Sequence, residues 1–336
     1  PGLSHPNEVV FDEIHFGGYI TDYINGVCFF DIHPPLAKLA LAGVAKLGGY
    51  KGDFNFSRTN KQYNYTFYVP MRRFMAVASS CVGPMLTASL ELMGVPIGPS
   101  VLSGVLYSLD FISITQSRLI LTDSLMYFFI SLTILLCAIY KRHRTWTLIF
   151  FQAIAASSAF SIKFTAAGVF IFVAFFHIFD GYKKPHFFLH LCAKGFIFAS
   201  VAIVEMFSLV ALHLSLMPKN GYGDLYMPKD FRRQPMYIRV PKLIIAMYRY
   251  NKGIKNSHPY QSRFYQWPLF LSEPILTWHG PRGQYLYFLN NPISAFLSLV
   301  GFCFGINALS IAYFISFVPF VFVQRCTFAY HYEIPL

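Results

Sequence analysis

The chain has 336 residues, of which 55% are hydrophobic, 18% aromatic and only 12% charged. Soluble proteins carry about 25% charged residues, so a purely soluble protein is excluded, and the abundance of Phe and Tyr excludes a disordered chain. The formal net charge of +12 would suit nucleic acid, but the sequence offers no soluble scaffold to present a basic stripe and favours membrane lipid phosphates as the anionic partner.

Residues 1–73 form a polar region whose carboxylates are the first candidates for chemistry. Asp12 and Glu13 stand side by side in the apolar and aromatic run VVFDEIHFG. Because adjacent residues do not share one face of a helix or strand, we expect the two to have different roles rather than to form a dyad. A carboxylate near a membrane surface can act as a general base, although an Asp-Glu pair is more often a solvated turn or helix start.

The next motif, FFDIHPPLAKL, predicts a short helix that lies in the membrane interface. Asp31 is expected to be its N-cap, with Pro34 or Pro35 in the first helical position. The N–H groups of this helix start, together with His33 and Lys38, suit an anion such as a lipid phosphate. The alternative is a capped amphipathic helix whose lysines only extend towards the headgroups.

Seven apolar stretches are candidates for membrane helices, since a bilayer core needs about 20 helical residues. The stretches are residues 74–93, 95–115, 119–140, 146–162, 164–179, 187–216 and 293–323. Whether the last one crosses the membrane once or twice stays open, because two full crossings need about 40 residues. The sequence therefore predicts an all-α, polytopic helical bundle.

Short basic loops set the orientation, because Lys and Arg mark the cytoplasmic side of membrane proteins. The two basic loops, at residues 141–144 and 183–184, are separated by two spans and so lie on one side. Residues 1–73 and 217–291 are then both lumenal. Two N-glycosylation sequons in the first of these regions, NFS and NYT, give mild support.

Four charged residues lie near the predicted lumenal ends of spans: Arg72, Arg118, Asp123 and Lys163. Charges at membrane depth are costly and usually functional, so we expect them to form a pocket that binds a phosphate. Each residue alone is most simply explained as an interfacial anchor.

The second polar region contains SHPYQSR followed by WPL. Its residues His258, Tyr260 and Arg263 combine hydrogen-bonding and stacking groups that suit a sugar or a peptide. The alternative is a cluster of prolines and aromatic rings that only packs the loop.

Nine motifs resemble those of the protein O-mannosyltransferases and follow the order of that family from Glu8 to Leu336. They are EVVFDEIHFGGY, FFDIHPPLAKL, YVPMRRF, SRLILTDSLMYFF, FSIKFTA, GYGDLYMP, SHPYQSR with WPL, YLYFLNNPIS and YHYEIPL.

The resemblance implies a lipid-sugar-dependent glycosyltransferase of the endoplasmic reticulum membrane. Such an enzyme transfers mannose, with inversion, from dolichyl phosphate β-mannose to Ser or Thr hydroxyls of secretory proteins. The family's essential aspartate falls on Asp12, beside Glu13, and its membrane-proximal arginine on Arg72. Tyr330 and His331 of the last motif join the expected substrate-binding residues. The family commonly pairs its members, so a homodimer or a heterodimer with a paralogue is expected.

The expected mechanism needs few groups, because a phosphate leaves as an anion without protonation. Asp12 is expected to take the proton of the acceptor hydroxyl. Arg72, His33 and Lys163 are expected to stabilise the charge that grows on the phosphate. No cofactor is expected, and the lack of an acidic DxD cluster predicts metal-independent chemistry.

Four regions are expected: a first lumenal loop (1–73), a transmembrane bundle (74–216), a second lumenal loop (217–291) and a C-terminal transmembrane part (292–336). The chain departs from the family in lacking a β-trefoil module after GYGD and in having NNPISAF where a GNP motif with paired tryptophans is usual. Family members also have a span before the Asp-Glu loop and further spans after YHYEIPL, so a fragment is expected.

Three alternatives stay open. A related glycosyltransferase could use another polyprenyl-phosphate sugar, and a catalytically weak subunit could stabilise a paralogous mannosyltransferase. A transporter fits least, because the ionisable groups gather at one surface rather than along a path through the bilayer.

Overall fold

The computed structural model describes residues 2–254, 257–269, 271–281, 283–303, 313–314, 316–323 and 326–333. Helices form most of the described fold. They are α1 (Glu13–Asn25), α2 (Leu36–Leu47), α3 (Tyr68–Met93), α4 (Ile97–Ser108), α5 (Phe111–Ser117), α6 (Asp123–His143), α7 (Trp146–Phe160), α8 (Gly168–Gly181), α9 (Phe187–Ser215), α10 (Met236–Gly253) and α11 (Pro292–Cys303). Two antiparallel strands, β1 (Ile275–His279) and β2 (Tyr285–Phe288), form a hairpin.

Four of the described helical segments are long and apolar enough to cross a membrane: α3, α6, Phe164–Gly181 and α9. The pair α4 and α5 makes a fifth if it is counted as one span, and α7 is a shorter apolar helix. The prediction of an all-α polytopic bundle is confirmed, and the protein is a multi-pass membrane protein. The question of one or two crossings within 293–323 falls on residues 304–312, which lie outside the described residues.

The stretch predicted at residues 95–115 is formed by two helices rather than one straight span, because the chain bends by 52° between α4 and α5. Asp110 has an extended backbone, and its carboxylate accepts a hydrogen bond from the backbone N–H of Ser113 at 2.9 Å. This side-chain N-cap starts α5 as a new helix in a new direction.

Close packing of α3 against α4 depends on two glycines. A Cβ atom on Gly104 would lie 2.6 Å from the carbonyl oxygen of Gly83 and 2.1 Å from the hydroxyl of Thr87. Small residues of this kind let the backbones of membrane helices approach each other closely.

Gly104→Ala is therefore expected to lower the free energy of unfolding by about 1–3 kcal/mol, the usual cost of overpacking. Gly98→Ala is the matched control, because the same helix has open space at Gly98. Thermal unfolding of both variants in detergent measures the difference. An equal melting temperature for the two would contradict close packing at Gly104.

The first polar region contains the two short helices α1 and α2. α2 ends at Leu47, where the predicted apolar run also ends. Its N-cap is Pro35 rather than the predicted Asp31. The expectation that Asp31 caps this helix is wrong, because its carboxylate pairs with the ammonium of Lys38 instead.

Buried rings hold the loop between α2 and α3 in place. Phe54, Phe56 and Tyr63 are buried, whereas Asn55 and Asn64 between and beside them are exposed. Both asparagines of the sequons are thus accessible from outside the fold.

The hairpin of the second polar region (217–291) lies against the first polar region (1–73). The indole N–H of Trp278 donates to the carboxylate of Glu8 at 3.0 Å, and the amide of Asn60 donates to the carbonyl oxygen of His279 at 2.9 Å. The two regions that were expected to share one side of the membrane therefore form one layer at the end of the bundle.

Candidate active site

Asp12 occupies the N-cap position of α1, directly after a residue with an unusual backbone. Phe11 has a φ of 49°, in the left-handed region that residues other than glycine seldom adopt. Its ring packs edge-on against Phe288 at 5.2 Å between centroids, and the N–H of Glu13 donates to the carbonyl of Val10 at 2.9 Å. This tight turn sends the side chains of Asp12 and Glu13 into different environments.

Glu13 is fully buried and accepts five hydrogen bonds. Its Oε1 accepts from Nε of Arg72 at 2.8 Å and from the backbone N–H of Ile120 at 2.9 Å. Its Oε2 accepts from Nη2 of Arg72 at 2.8 Å, from the N–H of Val10 at 2.9 Å and from the hydroxyl of Tyr63 at 3.0 Å. Glu13 thus joins α1, α3 and the segment before α6, and it has no proton-accepting site open to a substrate.

Arg72 is equally buried and uses all five of its N–H groups. Two bind Glu13, and the others donate to the backbone carbonyls of Leu3, Pro6 and Glu8 at 3.3, 2.7 and 3.1 Å. The structure therefore gives Arg72 the contacts of a structural residue, with no N–H group left to face the phosphate that the sequence analysis expected it to bind.

The Asp12 carboxylate contrasts with Glu13. It is half-buried, and among the described residues no side-chain or backbone group donates a hydrogen bond to it. Burial raises its pKa, and the nearby charges of Asp123 and Asp31 raise it further, while His15 and Lys163 lower it. A carboxylate with a raised pKa and open lone pairs is a stronger base than one on a solvated surface.

The first of two lysine–aspartate pairs near Asp12 lies between α2 and the loop before it. The Lys38 ammonium donates to the Asp31 carboxylate and, at 2.7 Å, to the carbonyl oxygen of His33. Burial opposes ionisation of Asp31, but the charge of Lys38 lowers the pKa of Asp31 below its usual value. The pair is therefore ionic.

The second pair joins the start of α6 to the segment that follows α7. The Lys163 ammonium donates to both carboxylate oxygens of Asp123 at 2.8 Å. Both side chains are mostly buried. Each lysine near Asp12 thus has an aspartate partner, and Asp12 is left without a cation at ion-pair distance within the described part of the chain.

Sequence reasoning missed His15 and Tyr19. They follow Asp12 by three and seven residues, so they lie on the same face of α1. Tyr19 stacks on Phe29 at 4.6 Å between centroids, and its ring lies 5.7 Å from the Lys38 ammonium. The helical spacing from Asp12 was the signal that could have found both residues.

The last expected site residues lie in and around an aromatic cluster. The ring of Tyr330 stacks on His331 at 4.6 Å and lies 6.0 Å from Phe288, the ring that contacts Phe11. The structure therefore brings the last motif close to the turn that carries Asp12.

His258 and Tyr260 approach the same cluster from the second polar region. The ring of His258 lies 5.9 Å from that of Tyr260 and 5.2 Å from that of Phe328. Two other expected residues lie apart from these rings: Arg263 is exposed, and the half-buried Arg118 donates to the carbonyl oxygen of Gly2 at 2.9 Å. Across the described residues, no three His, Cys, Asp or Glu side chains are grouped to hold a metal ion.

Comparisons with known proteins show the family to which the chain belongs. Residues 2–217 match the family model for dolichyl-phosphate-mannose-protein mannosyltransferase. Dolichyl-phosphate-mannose–protein mannosyltransferase 4 of Schizosaccharomyces pombe is 32% identical to this chain over 253 residues. The match covers 68% of this chain and 32% of the relative. Dolichyl-phosphate-mannose–protein mannosyltransferase 1 of Candida albicans is 31% identical over 256 residues. This match covers 71% of this chain and 29% of the relative. The chain spans about a third of the length of these relatives.

A solved structure has the same fold. The S. cerevisiae protein O-mannosyltransferase Pmt1-Pmt2 complex bound to the sugar donor matches with a TM-score of 0.89, at 17% identity, over 99% of this chain and 81% of that chain. Since the family model covers more than half of the residues, the chain belongs to the dolichyl-phosphate-mannose-protein mannosyltransferase family.

Proposed function

We propose that this chain carries the catalytic site of a protein O-mannosyltransferase. It transfers mannose from dolichyl phosphate mannose to Ser or Thr hydroxyls of proteins, with inversion at the anomeric carbon. The observation that carries the proposal is the state of four neighbouring carboxylates. Glu13, Asp31 and Asp123 each bind a cation, whereas Asp12 accepts no hydrogen bond from the described residues.

The proposed reaction is a single in-line displacement. The acceptor hydroxyl oxygen forms a bond to the anomeric carbon of mannose while the bond from that carbon to the phosphate oxygen breaks. The hydroxyl proton moves to a carboxylate oxygen of Asp12, and the bonding electron pair leaves with the dolichyl phosphate. Asp12 suits this step because burial raises its pKa above that of a solvated aspartate, which makes it a stronger base.

Charge on the departing phosphate needs cations close to Asp12. Lys163 is the first choice, because its charge acts on the Asp12 carboxyl and it is less buried than Lys38. Lys38, held at the carbonyl of His33, is the second. Preorganised cations of this kind stabilise charge that develops in the transition state.

The charge of Lys163 gives a pH prediction. Lys163→Met is expected to raise the pKa of Asp12, because it removes a cation that lowers this pKa and leaves Asp123 unpaired. Since the anionic Asp12 is the working form, activity falls as the pH drops through its pKa, and this acidic limb should move to higher pH. The measurement is the pH profile of kcat/KM, with the exposed Lys46→Met as control. An acidic limb at the same pH as in the unaltered protein would show that Lys163 does not influence the pKa of Asp12.

We also propose that the Asp12 end of the bundle faces the lumen of the endoplasmic reticulum and that residues 1–73 and 217–291 form the lumenal layer. The exposed sequon residues Asn55 and Asn64 support this orientation, as do the basic loops at the opposite helix ends. A solved relative is a complex of two named mannosyltransferases, which supports pairing with a paralogue.

A donor assay tests the function. Membranes that contain the protein receive a Ser/Thr peptide with either dolichyl phosphate β-mannose or dolichyl phosphate β-glucose, and the linkage of the product is determined. The proposal expects α-linked mannose from the first donor only. Preference for glucose would favour the related-enzyme alternative. Mannose transfer by a co-expressed pair that is not slowed by Asp12→Asn in this chain would favour the supporting-subunit alternative.

A further inference from the structure

A polar cavity lies at the opposite end of the bundle from Asp12. It has a volume of about 310 Å³ and is formed where α6, α7, α8 and α9 meet. α6 has 21 residues, so it is about 30 Å long, and its first residue, Asp123, belongs to the site described above. The cavity is therefore a separate site, about one membrane thickness away.

A chain of buried polar side chains leads into this cavity. The Lys194 ammonium lies 3.1 Å from Nδ1 of His177, and Nε2 of His177 lies 2.9 Å from Oε1 of Gln152. Gln152 donates in turn to the carbonyl oxygen of Leu136 at 3.1 Å. These bonds orient His177 to accept from Lys194, and the ammonium also lies 4.8 Å from the ring centroid of Tyr140.

Lys194 is only 9% exposed and has no carboxylate at ion-pair distance in the described part of the chain. The acidic residue that lines the cavity, Asp180, already accepts from Arg144 at 2.9 and 3.1 Å and from Lys184 at 2.9 Å. Three cations thus face one carboxylate. A buried charge without a counter-ion is costly, and an anion in the cavity would offset that cost.

The wall of the cavity indicates which anion it takes. Ile149, Phe187 and Leu191 line it together with the cations, and Trp146, which is 50% exposed, stands at its edge at the start of α7. Tryptophan is typical of the boundary between membrane and water. A cavity wall with apolar groups beside cations at this depth suits a phosphate that is attached to acyl chains.

We propose that this cavity binds the phosphate group of an anionic membrane lipid, with Lys194 at its base and Arg144 and Lys184 at its rim. The same three cations would also hold free inorganic phosphate, so the chemistry they recognise is a phosphate group with more than one negative charge. The proposal does not depend on the transfer reaction, because no residue of the cavity takes part in it.

Lipid binding to the purified protein in detergent tests the proposal. Phosphatidic acid, phosphatidylcholine and inorganic phosphate are titrated separately, and native mass spectrometry or a thermal-shift assay reports the bound fraction. We expect one molecule of phosphatidic acid per chain and at least tenfold weaker binding of phosphatidylcholine. Lys194→Met is expected to weaken the binding of phosphatidic acid at least tenfold. Arg142→Ala, which removes an exposed cation near the same helix ends, is expected to leave it unchanged.

The rim variants Arg144→Gln and Lys184→Gln keep the test decisive if Lys194→Met does not fold. Each is expected to weaken the binding of phosphatidic acid at least threefold. Binding of inorganic phosphate that needs the same lysine and excludes phosphatidic acid would identify free phosphate as the source of the anion. Equal binding of both lipids, or equal effects of Arg142→Ala and the cavity variants, would overturn the proposal.

Discussion

The Asp12→Asn protein is expected to transfer mannose about 10²–10⁴ times more slowly than the unaltered protein and to remain folded in the membrane. The loss follows from the usual contribution of general base catalysis, because an amide of the same size does not accept the hydroxyl proton. The fold should persist because no described residue donates a hydrogen bond to the carboxylate that the substitution removes.

The same substitution on the same helix provides a control. Asp22 is also half-buried, and burial raises its pKa to about 6. Asp22→Asn is expected to keep most of the activity because Asp22 lies ten residues away from Asp12, about 15 Å along the helix axis. Single-turnover transfer to a Ser/Thr peptide measures both variants. Similar rates for the two would remove Asp12 from the role of base.

The second large effect concerns stability. Arg72→Met is expected to lower the free energy of unfolding by about 3–5 kcal/mol, because it leaves the carboxylate of Glu13 buried without its cation. The neighbouring Arg73 is exposed, so Arg73→Met should change the free energy of unfolding by less than about 0.5 kcal/mol. Denaturant titration of the protein in mixed micelles gives both values.

A double variant separates the loss of charge balance from the loss of packing. Glu13→Gln combined with Arg72→Met removes the buried charge altogether, so the double variant should be more stable than Arg72→Met alone. If the double variant is the less stable of the two, the effect of Arg72 does not come from an unpaired carboxylate.

The sequence predicted most of the bundle because membrane spans are local features. A run of apolar residues is sufficient to indicate a helix, and five of the expected stretches each coincide with one described helical segment. The break at Asp110 was also local, since an aspartate within an apolar run is a preferred N-cap, and its carboxylate accepts from the backbone N–H three residues later. A search for apolar runs alone does not detect such a cap.

The candidate site was harder to predict because its decisive contacts are distant in sequence. Different roles were expected for Asp12 and Glu13 because adjacent side chains face different directions, and the structure gives them different environments. The partner of Glu13 lies 59 residues along the chain, and no local pattern distinguishes Arg72 as a buried partner from Arg72 as a ligand for phosphate. The pairing of Asp31 with Lys38 likewise competes with a capping role that the local sequence favours equally.

The contrast between Arg72 and the two lysines has a consequence for how a substrate would be admitted. All five N–H groups of Arg72 donate to acceptors within the protein, so none is available to a substrate and the guanidinium stays in place throughout a catalytic cycle. Lys163 bonds to a single carboxylate group. In the proposed reaction an arriving phosphate can therefore compete with Asp123 for that ammonium, so that the lysine is exchanged between two anionic partners as the phosphate arrives and leaves.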